Sequence, residues 1–438
     1  MRLVSSDRKS RVILIIVSTL ILAAAVYALV LAVNSLITVN KRRPPKILDA
    51  WVSVKDSLIA NEIYRADSMC RQYEYDEALA LLGRYDSDEA ISAYERINSE
   101  KNKLAPADIY SIPHVFFHSL IADTSKAFDG DTREAGYNQV MTTIAEFRAI
   151  LEQMYQKGYV LVSLHDIAKK QPDGTFKPGK IMLPAGKRPF VLSVDDVCYY
   201  EYMEGDGFAS RIVIGDDGNP TCAMKQDDGT FVYGEYDVVP ILDSFVREHP
   251  DFSYKGAKGI LAFTGYNGVM GYRTCPSYND NPTYAEDCEN AKKVAEALRA
   301  DGWEFASHSW GHRNMKTMKF EDLKTDSTRW KNEVESIIGD TDILIFPFGS
   351  DIGDWHKYSD TNERFAFLKS MGFDYFCNVD SSKAWLQIGS NYVRQGRRNL
   401  DGYRMYYDMI NDKKDYLSDL FDVNKVFDKA RPVPVPPM

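Results

Sequence analysis

The sequence predicts an α/β domain built on a barrel-like parallel sheet, set behind an apolar amino-terminal helix. Three observations lead there: one long uncharged apolar run near the start, short apolar runs alternating with amphipathic helices from Ile112 onward, and reactive polar residues where several of those runs end. With 438 residues, 45% hydrophobic and 26% charged, the chain has length for one large domain and a smaller attachment. Its net charge of -10 argues against a nucleic-acid partner, because that affinity rests on Lys and Arg neutralising phosphates.

The elements follow in order. Residues 1–11 are basic and read as a cytoplasmic tail. Val12 to Val33 is an uncharged apolar run of 22 residues, which as a helix rising ~1.5 Å per residue covers a hydrocarbon core of roughly 30 Å. It is read as a transmembrane anchor rather than a cleaved signal peptide, whose apolar region runs to only ~7–15 residues. Arg2, Arg8, Lys9 and Arg11 precede it, and Lys41, Arg42, Arg43 and Lys46 follow it, so charge gives only a weak orientation. The amino terminus is placed inside and the bulk of the chain outside the cytoplasm. The six cysteines permit disulfides there, but none forms a C-x-x-C pair, and small buried thiols are an equal expectation.

Residues 46–108 carry Leu, Ile, Tyr and Ala at helical spacing, as in YDEALALL (Tyr75 to Leu82) and DEAISAYERI (Asp88 to Ile97), and read as a helical stalk. The domain proper is expected over 112–425. Its apolar runs are Pro113 to Phe117, Tyr159 to Leu164, Pro189 to Val194, Gly259 to Thr264, Trp303 to Ser307, Asp342 to Phe346 and Asp374 to Val379, with helix candidates between them. Arg211 to Tyr236 interrupts the alternation with GDDGNP and QDDGT, two turn signals that predict an inserted hairpin. Residues 426–438 contain PVPVPP, too rigid and too poor in N–H donors for a sheet, and read as a disordered tail.

Where a strand of a parallel α/β barrel ends, its next residues emerge on the rim that carries reactive groups. PFVLSV is followed by Asp195 and Asp196, WEFAS by His308-Ser309-Trp310-Gly311-His312, and PHVFF by His118. Two neutral imidazoles and one carboxylate suit a borderline divalent cation such as zinc and leave positions open for water and substrate. A second carboxylate beside them can take a water proton, and a nearby His can protonate a departing amine. This set of groups is the equipment of amide hydrolysis.

On these residues the chain resembles the polysaccharide deacetylases with the NodB-homology domain, over 112–404. SVDD (Ser193 to Asp196) is similar to the family's T-F-D-D motif, which implies Asp195 as general base and Asp196 as metal ligand. HSWGH is similar to H-S/T-x-x-H, which implies His308 and His312 as the remaining ligands. FPFG (Phe346 to Gly349) resembles the proline-aromatic-glycine motif, implying that the Phe348 N–H helps hold the oxyanion. IPHVFFHSL resembles a subgroup that opens its domain with the catalytic acid, implying His118 for that role. The resemblance also implies that the barrel is a distorted (β/α)7 type.

Two family features are missing from the sequence as read. Ile345 and Phe346 stand where the family has the Arg that holds the base carboxylate, and Arg394 is taken as the replacement. Asp380 and Trp385 are candidates for the Asp-Trp motif that pairs with that Arg. Trp310, with Phe348, is a candidate for stacking on sugar rings, and so are Tyr199, Tyr200, Tyr266 and Tyr272, whereas His114, His165, His249 and His356 are read as structural. The expectation is a membrane-anchored, zinc-dependent enzyme removing N-acetyl groups from peptidoglycan, poly-N-acetylglucosamine or a chitin-like polymer. Its rivals are a binding module that has lost turnover, favoured by the missing Arg, and an O-acetyl esterase using the same site. The oligomeric state is left open.

Overall fold

The computed structural model describes residues 25–30, 46–380, 382–411 and 415–438. The chain divides into two compact units, Met1–Tyr64 and Arg65–Met438. The expected tail at 1–11 and most of the anchor at 12–33 lie outside the described residues; 25–30 are helical. Among the described residues no helix is long and apolar enough to cross a membrane.

The region expected as a stalk is helical, with α1 (Lys46–Arg71), α2 (Tyr75–Leu82) and α3 (Asp88–Lys101). Helix α3 starts where the Ser87 side chain accepts the Ala90 N–H, with Asp88 and Glu89 in the first turn and Lys101 in the last, the arrangement its dipole favours. From Arg65 onward, however, these helices belong to the same compact unit as the barrel. Tyr73 stacks on Tyr254 at 5.7 Å and donates to the Asp251 carbonyl at 2.7 Å, so the junction of α1 and α2 docks on the barrel rather than holding a distance.

The barrel strands and their companions are β1 (His114–Phe117), β2 (Tyr159–Leu161), β3 (Arg188–Val194), β4 (Arg211–Ile214), β5 (Pro220–Lys225), β6 (Phe231–Gly234), β7 (Ile260–Phe263), β8 (Glu304–Ser307), β9 (Ile343–Ile345), β10 (Tyr375–Val379), β11 (Trp385–Ile388) and β12 (Val393–Asn399). Seven of them close a parallel barrel in the order β3-β7-β8-β9-β10-β12-β1 and back to β3. The expected distortion has two visible sources. Strand β7 meets β3 only at Ser193 and Val194, because β2 pairs with the first three residues of β3, and β8 meets β9 through the single pair Ser307 and Leu344.

Alternate residues of each strand face two different cores, as a pleat of period two requires. Val191, Ile260, Ala262, Ala306, Ile345 and Cys377 pack inside the barrel. Leu192, Leu261, Phe263, Phe305, Leu344 and Phe376 point outward under the helices. The outer layer includes α4 (Glu134–Val140), α5 (Ile144–Gln156), α6 (Val238–Glu248), α7 (Tyr284–Ala300), α8 (Phe320–Trp330), α9 (Glu363–Ser370) and α10 (Gly402–Met409). Helix α5 opens with a reciprocal capping box between Thr143 and Glu146.

Three sequence expectations are corrected. Six of the seven apolar runs form barrel strands, but Tyr159 to Leu164 yields β2, which lies outside the closed ring, and the seventh barrel strand is β12, VRQGRRN. Its three arginines hide it from a hydrophobic pattern; all of them are nonetheless buried, paired with carboxylates. The inserted hairpin is a three-stranded antiparallel sheet, β4-β5-β6. The proline-rich end is packed rather than disordered. Asn138 and Gln139 donate to the carbonyls of Pro432, Pro436 and Pro437, Tyr407 donates to that of Val435, and Val435 is fully buried. Proline lacks the N–H but keeps the acceptor, and these contacts use only acceptors. Just upstream, Arg431 pairs with Glu146 at 2.6 Å with both side chains buried. All six cysteines are free thiols.

Candidate active site

The carboxyl ends of β1, β3, β8, β9 and β12 deliver the reactive groups to one rim. Strand β3 carries Asp195 straight off its last residue, with the Asp195 N–H bonded to the Phe117 carbonyl at 2.8 Å. Asp195 is 3% exposed. Arg397 grips it with two parallel bonds, Nη1 to Oδ1 at 2.7 Å and Nη2 to Oδ2 at 2.9 Å, the fork geometry that makes Arg the preferred carboxylate partner. Burial alone would raise the Asp195 pKa, but the Arg397 guanidinium beside it holds it well below the usual carboxylate range. Asp195 is therefore an ionised, oriented acceptor.

Arg397 is itself braced from inside the barrel. Its Nη1 also donates to Ser193 Oγ at 3.1 Å, and Ser193 Oγ lies 3.0 Å from His114 Nε2, whose Nδ1 meets Gln395 Oε1 at 3.1 Å. Burial and the Arg397 charge keep His114 neutral. His114 thus serves as an interior strut, as expected of a structural histidine.

Next to this clamp the chain takes a left-handed turn at Asp196 (φ 58°), and the HSWGH segment takes two more at Ser309 (φ 57°) and His312 (φ 47°). Such conformations cost energy in residues other than glycine and persist where surrounding bonds enforce them. Here the buried Asp326 carboxylate does so, accepting the N–H groups of Trp310 at 2.8 Å and Gly311 at 2.9 Å. The result brings Asp196, His308 and His312 together, with one ligand atom of each within 4.8 Å of the others. His312 Nε2 is 3.6 Å from Asp196 Oδ2, and His308 Nε2 is 3.9 Å from Asp195 Oδ2.

The donor set fits a divalent cation. His308 Nδ1 lies 2.9 Å from the Ile345 carbonyl, which takes its proton and turns the bare Nε2 toward the carboxylates. Burial lowers the His308 pKa, favouring the neutral ligand form. Asp196 supplies the hard oxygen.

The other predicted residues divide. His118 stands half-buried at the end of β1 with Nδ1 3.2 Å from the Val140 carbonyl, leaving Nε2 free of that contact. Phe348 has a left-handed backbone (φ 59°) on the turn after β9, and its ring lies 4.6 Å from that of His312. Trp310 borders a cavity of about 440 Å³ with Tyr266, Arg313, Asp322 and Arg329. One face of its indole is covered by the Arg329 guanidinium at 3.4 Å, and Nε1 donates to Glu333 at 2.7 Å.

Arg394 does not reach Asp195. It points to the opposite face of β12, where it pairs with Asp351 at 2.9 Å and donates to the backbone carbonyls of Asp354 and His356. Arg397, three residues on, is the residue that the sequence reading missed. The signal was strand alternation: once Val393 faces inward, so do Gln395 and Arg397, and Arg394 cannot. The side chains of Asp380 and Trp385 do not pair with the Asp195 clamp either, although the Asp380 N–H bonds the Arg397 carbonyl at 3.1 Å. The Asp380 carboxylate caps Ser382, and Trp385 lies over Arg394 at 5.0 Å.

Residues 278–375 match the family model "Polysaccharide deacetylase", a segment that includes His308, His312 and the FPFG turn but not Asp195, Asp196, His118 or Arg397. The resemblance carried by the motifs is thereby found over that segment. No curated protein shows a significant match to the chain. Among solved structures, the Streptococcus pyogenes deacetylase PplD in complex with acetate is similar at 12% identity and a TM-score of 0.37, over 66% of this chain and 92% of that one. A Bacillus anthracis protein classed as a polysaccharide deacetylase is similar at 11% identity and a TM-score of 0.35, over 68% and 65% of the two chains.

Proposed function

We propose that this chain deacetylates an N-acetylated amino-sugar polysaccharide such as peptidoglycan, poly-N-acetylglucosamine or a chitin-like polymer, in a metal-dependent reaction outside the cytoplasm. The observation that carries the reading is the Asp195–Arg397 clamp lying against the Asp196, His308 and His312 cluster. A divalent ion held by those three residues, zinc by the ligand types, would supply Lewis acidity to the acetamide carbonyl and acidify water. Asp195, ionised and fixed by Arg397, accepts the water proton. His118 protonates the leaving sugar nitrogen as the C–N bond breaks, and the Phe348 N–H donates to the tetrahedral oxyanion. Water and the acetamide are consumed; acetate and a free amino sugar are released.

The binding-only reading rested on the absence of an arginine at the base. Arg397 occupies that role, so the observation that favoured it is gone. The apolar run at 12–33 supports a single-pass membrane anchor with the barrel outside. The deciding experiment measures acetate release by the zinc-loaded protein from chitin oligomers, peptidoglycan and acetylated xylan. Release from the first two that disappears in Asp195→Asn supports the amidase. Release from xylan alone makes it an esterase, and release from none sinks the enzyme.

A further inference from the structure

One polar contact at the rim is not used by the chemistry above. The Tyr200 hydroxyl donates to Asp196 Oδ1 at 2.6 Å, while Asp196 Oδ2 is the oxygen turned toward His312. An ionised carboxylate only accepts, so the phenol proton is committed to Asp196 and the phenol oxygen must accept from its other neighbour, Thr264 Oγ1 at 2.8 Å. Thr264 in turn lies 3.1 Å from the Cys198 thiol. The threonine hydroxyl thus donates to the tyrosine and the tyrosine to the carboxylate, while the Cys198 thiol donates to the Thr264 carbonyl at 3.6 Å.

The ring carrying this hydroxyl is immobilised. Tyr200 is 5% exposed and is sandwiched between Tyr202 at 5.5 Å and Tyr266 at 5.1 Å, all three rings near parallel. Tyr266 meets Trp310 edge-on at 6.5 Å, and Trp310 lies between His308 and His312 in the chain. Gly265 makes that approach possible, since a Cβ there would stand 2.2 Å from the indole. One stack thus joins the segment bearing Asp196 to the segment bearing the two histidines.

We propose that Tyr200 is a positioning residue that holds Asp196 to one-oxygen ligation. With Oδ1 engaged, only Oδ2 faces the cation site, so coordination positions that a bidentate carboxylate would fill stay open for water and substrate. The inference rests on the metal-site reading above and concerns how that site is kept open.

Tyr200→Phe keeps the ring and its stack and removes the hydroxyl; Thr264→Val keeps the hydroxyl and removes the group that orients it. Zinc affinity is measured by competition with a chromogenic chelator, and the visible absorption of the cobalt(II)-loaded proteins reports coordination number. Tyr200→Phe is expected to bind zinc about 10–100-fold more weakly, with a weaker cobalt band as the carboxylate swings to two-oxygen ligation. Thr264→Val is expected to move both readouts in the same direction by less. Folding is checked by circular dichroism, and Thr264→Val decides if Tyr200→Phe does not fold. Wild-type affinity and an unchanged cobalt spectrum in the folded variants overturn the inference alone. A wild-type protein that takes up neither zinc nor cobalt overturns the metal-site reading together with it.

Discussion

Both ends of the barrel hold histidine among carboxylates, and they use it in opposite ways. At the amino end His165 bonds with both ring nitrogens, Nδ1 to Glu304, which opens β8, and Nε2 to Asp342, just ahead of β9, at 2.9 Å. Burial opposes its charge, but these two partners raise its pKa to about 10, so it is a cation locked between strands. At the carboxyl end His308 spends one nitrogen on a backbone carbonyl and leaves the other 3.9 Å from a carboxylate, beyond hydrogen-bonding range. Saturated imidazole is cement, whereas a half-saturated neutral imidazole beside an aspartate keeps one nitrogen available to hold a cation.

That contrast can be broken at either end. Removing divalent ions with a chelator should abolish acetate release, and zinc should restore it; activity that survives dialysis against the chelator would dissolve the distinction. If His118 is the proton donor of the proposed reaction, His118→Asn should lower kcat by ~10²–10⁴-fold while keeping the fold, read from steady-state rates on chitin oligomers.

Two of the three buried arginines of β12 sharpen the comparison further. Arg397→Met leaves Asp195 ionised without a partner and should cost about 3–5 kcal/mol in urea unfolding, with acetate release lost. Arg394→Met should cost a similar amount, because Asp351 loses its partner, while retaining much of the turnover of the folded fraction. Equal loss of turnover in both would mean that Arg397 has no special tie to the base.

The smallest effect belongs to His165. Its folded pKa of about 10 exceeds the ordinary value of about 6.5, so its stabilisation is complete below that ordinary value and fades as pH rises through the folded one. With 41% of the side chain exposed, solvent screens the pair to ~0.5–1 kcal/mol. His165→Leu should therefore melt earlier than wild type at pH 6 and converge with it near pH 10, with zinc affinity unchanged at every pH.

Much of this was legible because short-range order carries it. Asp195, Asp196, His308, His312, Phe348 and His118 all follow apolar runs, and a run that ends in a reactive residue reports its own place on the rim. Strand β12 was illegible for the opposite reason. Its inward residues are Val393, Gln395 and Arg397, and only partners distant in the chain, Asp195 and Ser193, make burying that guanidinium tolerable. The docked carboxyl end is similar: Arg431 acquires its meaning from Glu146, 285 residues away.

The sequence by itself determined the alternation of strands and helices, the identity of the candidate ligand residues and their order along the chain, since these depend on periodicity and on chemistry local to each segment. The tertiary structure alone decided which arginine holds the base, which oxygen of Asp196 is free and where the barrel closes. Those are pairings between distant residues, and a pairing energy exists only once the fold has removed water from both partners.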